Sequence, residues 1–299
     1  MVVEEFIGYI GVQKRYSERT LQLYGDYVKE LKEFILPADE NEFIRELKPQ
    51  VIRGFIANAL DSGLNPRTVN LKLSAISSFC NYLLKRGVID SNPVRKVPRP
   101  KMSKKLPHFY TEGALTAYLE SKIDNDDFLA VRNRAMVLVL YSTGMRRAEL
   151  ASLRLGAWDK GRGMLKVRGK GDKEREIPVT AELAKSLDSY ILEMKEFYPE
   201  NPEGMFFLTD AGKPLYLSFV NKVVREQLGL VPGFTGKRSP HMLRHSIATH
   251  LLNNGADLNS IKEVLGHSSL AATQVYTHNS FEHMKKIFLT AHPRAKKGG

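Results

Sequence analysis

The stretch MLKVRGKGDKEREIPV, residues 164–179, is where the hydrophobic period falls to two. Leu165 and Val167 alternate with charged neighbours on one arm, Ile177 and Val179 do so on the other, and Gly169-Lys170-Gly171-Asp172 between them has the composition of a turn. That pattern predicts a β-hairpin. The chain on either side reads as helix. DFLAVRNRAMVLVLY at 127–141 reads as a buried helix, and it breaks at Ser142-Thr143-Gly144 before a second helix around RRAELASL. After the hairpin, helical spacing continues over 180–197, 215–228, 241–253, 257–265 and from about 270 onward. One hairpin among many helices predicts a mainly α chain with a small β-sheet, its second half α+β.

The first ninety residues carry helical spacing only. Ser17 can cap a helix whose apolar face runs Leu21, Tyr24, Val28, Leu31 and Ile35. Asn65 before Pro66 reads as a cap with proline in the first turn, and Val69, Leu73, Ile76, Cys80 and Leu83 continue that stripe until Gly87. With apolar stretches near 3–10 and 42–60, about four helices are expected. No cluster of catalytic residue types stands among them, which favours binding over chemistry for this half.

Between the halves lies SNPVRKVPRPKMSKKLP, residues 91–107, with four prolines and no periodicity, which predicts an extended linker. Charge is concentrated there. Residues 1–90 carry 12 Lys and Arg against 12 Asp and Glu, 91–107 carry 6 against none, and 108–299 carry 27 against 21. Half of the formal charge of +12 thus sits in seventeen residues. A basic strap of this kind suits a polyanionic partner, since each neutralised phosphate releases counterions. Arg95, Lys96, Arg99, Lys101, Lys104 and Lys105 are its candidate DNA contacts. The expected organisation is a helical domain over 1–90, the linker over 91–107 and a second domain over 108–299.

The chain has 299 residues, 42% of them hydrophobic, enough for two ordinary cores. Its longest apolar run, AMVLVLY at 135–141, is too short to span a bilayer, and the acidic start MVVEEF does not read as a targeting signal. A soluble cytoplasmic protein is expected. The single cysteine, Cys80, excludes an internal disulfide and falls at a core position of its helix.

SPHMLRHSIATHLL at 239–252 places three histidines and an arginine on one predicted helix. His241 and His245 have the spacing of two metal ligands, but Met242 stands where the zincin pattern needs glutamate, and no cysteine or carboxylate set completes a site. Gly169-Lys170-Gly171 lacks the spacing of a nucleotide-phosphate loop. No metal and no nucleotide cofactor are expected. His241 and Arg244, three apart, share a helix face from which they could hold two oxygens of one phosphate. His245 and His250 read as structural.

Four further segments fit the same chemistry in order: Thr143-Gly144-Met145-Arg146-Arg147-Ala148-Glu149-Leu150 at a tight turn, Lys170 at the hairpin tip, Leu265-Gly266-His267-Ser268, and Tyr276 nine residues after His267. The ordered set Arg146, Lys170, His241, Arg244, His267 and Tyr276 resembles the tyrosine recombinase (phage integrase) family over residues 108 to about 290. The helical first half resembles that family's SAM-like core-binding domain. Within the family, QKRYSERT at 13–20, PHMLRHSIATHLLNNGADL at 240–258 and AHPRA at 291–295 are most similar to the chromosomal Xer recombinases. Met145 and Ala148 replace the family's usual leucine and serine, and Arg147 adds a charge.

The resemblance implies that Tyr276 attacks a scissile phosphate to form a 3′-phosphotyrosyl bond. Arg146, Arg244 and His267 would hold the phosphate, Lys170 would protonate the departing 5′-oxygen, and His241 would assist proton transfer at the tyrosine. It implies double-stranded DNA as substrate and a homo- or heterotetramer on two DNA sites. A second Xer recombinase and an FtsK-type DNA translocase would be partners of a Xer protein. The stripe Phe281, Met284 and Phe288 marks a short amphipathic helix, which either packs on its own domain or, as the resemblance implies, is a tail docked into a neighbouring protomer. Chromosome-dimer resolution is the role expected of a Xer protein. Its rivals are a transposon or phage integrase, a DNA invertase, a non-catalytic DNA-binding regulator, and a type IB topoisomerase.

Overall fold

The computed structural model describes residues 2–14, 16–102, 109–124, 126–169, 174–231, 236–266 and 278–294, with the backbone alone over 278–284. It divides into two compact units, Met1–Leu106 and Pro107–Gly299.

The first unit is helical among its described residues: α1 (Val2–Val12), α2 (Glu18–Ile35), α3 (Glu40–Arg45), α4 (Pro49–Asp61) and α5 (Pro66–Lys85), followed by a 3-10 turn at Pro93–Lys96. Local chemistry sets these bounds. The Asp39 carboxylate accepts from the Glu42 N–H at 2.7 Å, and the Asn65 side chain accepts from the Arg67 N–H at 2.9 Å. Ser17 stands at the N-cap of α2 as expected, but its hydroxyl pairs with that of Thr20 at 2.9 Å rather than capping the backbone. The apolar stretch at 42–60 forms two helices because Pro49 opens a new one. Phe6, Phe43, Ile52, Phe79 and Cys80 are fully buried between them, with Phe6 and Phe79 edge to face at 5.3 Å. Burial pushes the Cys80 thiol up to about 12, which makes it an inert core residue.

The first part of the strap, expected to be extended, packs on the helices before it. It does not leave the first unit at residue 91. The Asn92 carbonyl oxygen caps the 3-10 turn, accepting from the Val94 N–H at 3.0 Å, while its amide donates to Asn81 Oδ1 at 2.8 Å and Ser77 O at 3.1 Å. Val94 in that turn and Val97 just after it are buried in the helical core. Arg99 donates to Asn70 O and Ser74 Oγ, both at 3.3 Å, and Asn70 donates to Pro100 O at 3.0 Å. Two valines with apolar surface to bury outweigh the extended preference of the prolines around them.

The second unit contains α6 (Glu112–Glu120), α7 (Phe128–Thr143), α8 (Arg147–Ala151), β1 (Trp158–Asp159), β2 (Met164–Arg168), β3 (Glu174–Pro178), α9 (Ala181–Phe197), α10 (Leu217–Gly229), α11 (Pro240–Asn253), α12 (Leu258–Leu265) and α13 (His278–Ala291). The expected hairpin is present as antiparallel β2 and β3, paired Leu165 with Ile177 and Val167 with Arg175. A third strand, β1, pairs with β2. Helix α7 is the centre of this unit, buried from Ala135 to Thr143 and packed against α9, α10 and α11. Asp127 starts it, its carboxylate accepting from Leu129 N at 2.9 Å and Ala130 N at 3.1 Å, so the acidic run at 124–127 supplies a helix cap. Helix α13 packs on α11, α12 and β3 of its own unit. Among the described residues, no helix is long and apolar enough to cross a membrane.

Candidate active site

The site begins at the end of α7. Gly144 closes that helix with φ +60°, a left-handed conformation that glycine adopts without strain. Space demands glycine as well, since a Cβ there would lie 2.3 Å from Leu265 Cδ2 and 3.2 Å from Ile247 Cγ2. The resulting close turn delivers Arg146 at the N-cap of α8. Three residues on, the Glu149 carboxylate returns to accept from the Arg146 backbone N–H at 2.7 Å and from its Nη1 at 2.9 Å. Arg146 Nη2 donates to Gly266 O at 2.8 Å. Its side chain remains 41% exposed, so it is anchored yet open to a ligand.

Arg244 reaches the same point from α11. It is buried, and it donates through Nη1 to Gly144 O and through Nη2 to Leu265 O, each at 2.6 Å. Burial, reinforced by the neighbouring Arg146 charge, lowers its pKa to about 10, which leaves it cationic at neutral pH. His241 lies one turn earlier on α11 and is exposed.

Two residues that the sequence did not single out complete the framework. Arg175, on β3, forks onto Glu149 with Nη1 to Oε1 at 3.0 Å and Nη2 to Oε2 at 2.8 Å, and its Nε donates to Val264 O at 2.9 Å. Burial of Glu149 works to raise its pKa, but the hydrogen bonds from Arg175 and Arg146 prevail and hold it below the usual carboxylate range. Two guanidinium groups thus bind one carboxylate, and a third, that of Arg244, lies within electrostatic reach of it, leaving a net positive centre suited to an anion. Both missed residues had faint signals. Glu149 has capping-box spacing from Arg146, and Arg175 shares a strand face with the buried Ile177, an unusual place for a charge.

Of the six expected catalytic residues, the structure brings Arg146 and Arg244 together and puts His241 on the helix of Arg244. Lys170, His267 and Tyr276 lie outside the described residues, as do Lys104 and Lys105 of the strap. Arg95, Lys96, Arg99 and Lys101 are exposed on the first unit. His250 is buried, taking a hydrogen bond from the Tyr141 hydroxyl at 2.9 Å on Nδ1 and donating from Nε2 to Tyr110 O at 2.8 Å, a structural arrangement. Arginines at 146 and 244 can stabilise negative charge on a phosphate through permanently charged, forked donors.

Comparison with known proteins gives the family. Residues 114–283 match the model of the phage integrase family, and residues 3–87 match that of the phage integrase N-terminal SAM-like domain. Tyrosine recombinase XerC of Proteus mirabilis is 34% identical over 99% of this chain and 95% of its own length. Tyrosine recombinase XerC of Bacillus licheniformis is 38% identical over 98% of this chain and 96% of its own. Among solved structures, XerH site-specific recombinase bound to palindromic difH substrate, in a post-cleavage complex, is similar with a TM-score of 0.70 at 25% identity, covering 89% of this chain and 78% of that one.

Proposed function

From the premise that this chain belongs to the phage integrase family and is a site-specific tyrosine recombinase of the Xer type, we propose that it resolves joined chromosome copies by exchanging DNA strands at paired sites. The observation that carries the reading is the convergence of Arg146 and Arg244 on consecutive carbonyls of Leu265 and Gly266. That convergence fixes two cationic side chains side by side.

In the proposed reaction the Tyr276 hydroxyl attacks the scissile phosphorus while the bond from phosphorus to the 5′-oxygen breaks. His241 takes up the phenol proton, and Lys170 delivers a proton to the departing oxygen, giving a 5′-hydroxyl and a 3′-phosphotyrosyl bond. A 5′-hydroxyl from the partner duplex then attacks that phosphorus and releases the tyrosine. One phosphoester replaces another at each step, so the exchange consumes no external energy source. Arg146 and Arg244, with His267, stabilise the charge that builds on the nonbridging oxygens.

The proposed substrate is double-stranded DNA, gripped by both units with the basic residues of the strap along its backbone, in the cytoplasm. Four protomers on two sites, alone or with a second Xer recombinase, would form the working assembly, with α13 exchanged between neighbours and an FtsK-type translocase as a further partner. A plasmid with two directly repeated candidate sites tests the reading: two smaller recombinant circles support it, whereas relaxed circles of the original size would point to topoisomerase action.

A further inference from the structure

Arg175 ties together both supports of Arg146. One support is Glu149, which receives the backbone and side-chain N–H groups of Arg146 and also the fork of Arg175. The other is Gly266, whose carbonyl takes Arg146 Nη2. Arg175 Nε donates to Val264 O two residues before it, and the side chain of Arg175 lies directly against Gly266. A Cβ at Gly266 would meet Arg175 Cδ at 3.2 Å and its Cζ and Nε at 3.3 Å, and Gly266 has φ +66°. We propose that Arg175 is a positioning residue that aims the Arg146 guanidinium at the scissile phosphate by clamping Glu149 to the end of α12. This inference rests on the phosphate-binding role of Arg146 given above.

Several features separate positioning from mere stability. Arg175 is 14% exposed and Glu149 4%, and a buried ion pair of this kind is often no more stabilising than an apolar pair of equal volume. What an apolar pair cannot supply is direction. The planar fork reaches both carboxylate oxygens while Nε, held in the same plane, fixes the distance to α12. Lysine at this position would keep the charge facing Glu149 but could not fork and reach Val264 O together. Nη1, Nη2 and Nε of Arg175 are all engaged within the protein, so it acts through Arg146 rather than on DNA.

The test is a double-mutant cycle read as the rate of covalent adduct formation in a single turnover on a nicked duplex, using the full chain. Wild type against Tyr276→Phe first establishes the adduct; if wild type forms none on Tyr276, the proposed function falls and this inference with it. Given the adduct, Arg175→Lys is expected to be about 100-fold slower, the scale of a misplacement near 1 Å. In an Arg146→Ala background the same change is expected to cost less than about threefold, because the group it aims is gone. Equal losses in both backgrounds, or a wild-type rate for Arg175→Lys, would overturn the inference. A duplex with a methylphosphonate at the scissile position separates aim from folding. Its neutral phosphorus centre needs little cationic help, so Arg175→Lys and a second variant, Arg175→Gln, should come within a few-fold of wild type on it. Loss on both substrates would mark a purely structural role and overturn the inference.

Discussion

Arg146 and Arg244 donate to neighbouring carbonyls, Arg146 to Gly266 O at 2.8 Å and Arg244 to Leu265 O at 2.6 Å, from helices 98 positions apart in the chain. The two differ in burial, Arg244 being 6% exposed as a residue while the Arg146 side chain is 41% exposed. Their substitutions should therefore differ in kind. Arg146→Ala is expected to slow adduct formation by about 10²- to 10³-fold, the usual loss of one transition-state donor, with Tm nearly unchanged. Arg244→Ala is expected to slow the reaction and lower stability by about 2–4 kcal/mol, since it leaves Gly144 O and Leu265 O unpaired in the interior. Adduct kinetics alongside thermal unfolding check both; an unchanged Tm for Arg244→Ala would contradict its anchoring role.

Gly144→Ala combines a left-handed backbone with a Cβ 2.3 Å from Leu265 Cδ2. The strain and overlap together are expected to cost about 3 kcal/mol and to displace the turn that carries Arg146. Differential scanning calorimetry should show the loss, and adduct formation should fall by more than the unfolded fraction explains.

The end of the described chain gives a pH signature. His292 is fully buried, donating from Nε2 to Ser142 O at 3.0 Å and accepting on Nδ1 from the Arg294 N–H at 3.2 Å, while the Arg294 side chain pairs with Glu182. Burial lowers its pKa from the ordinary 6.5 to about 4. As pH falls below 6.5 the unfolded chain takes up this proton first, so stability drains between pH 6.5 and about 4 and then levels off, on the order of 3 kcal/mol in all. Above pH 6.5 the group contributes no slope. His292→Gln should flatten that part of the stability profile relative to wild type, as measured by urea unfolding at a series of pH values.

How much of this was legible in the sequence follows from the range of the forces involved. The hairpin and α7 were readable because alternation and uniform apolarity are local properties, and Arg146, Arg244 and His241 because their motifs are short. Strand β1, two residues long, has no room for a period. Helix α6 carried a signal that went unread, Thr111 capping it by accepting from Ala114 N at 3.3 Å. Arg175 and Glu149, 26 positions apart, meet only when strand and helix pack. The burial of Val94 and Val97 was not legible for the same reason, as the surface that covers them belongs to helices earlier in the chain.

If the strap lies along DNA as proposed, its charge contributes to affinity. Neutralising Lys101, Lys104 and Lys105 to glutamine should reduce the slope of log K against log salt by up to about 0.9 for each phosphate that is no longer neutralised. Arg99→Gln should do more, since Arg99 also fastens the strap to Asn70 and Ser74. Fluorescence anisotropy across a salt series measures both; an unchanged slope would mean that these side chains do not pair with phosphates.

In the proposed reaction Tyr276 becomes covalently joined to DNA. Incubating the full chain in EDTA with nicked duplexes carrying candidate sites and a pool of genomic fragments, then mapping any protein–DNA adduct by mass spectrometry, tests it most directly. The expected result is a 3′-phosphotyrosyl bond on Tyr276 that disappears in Tyr276→Phe. Tight DNA binding with no adduct across the pool, or an adduct on another residue, would contradict it.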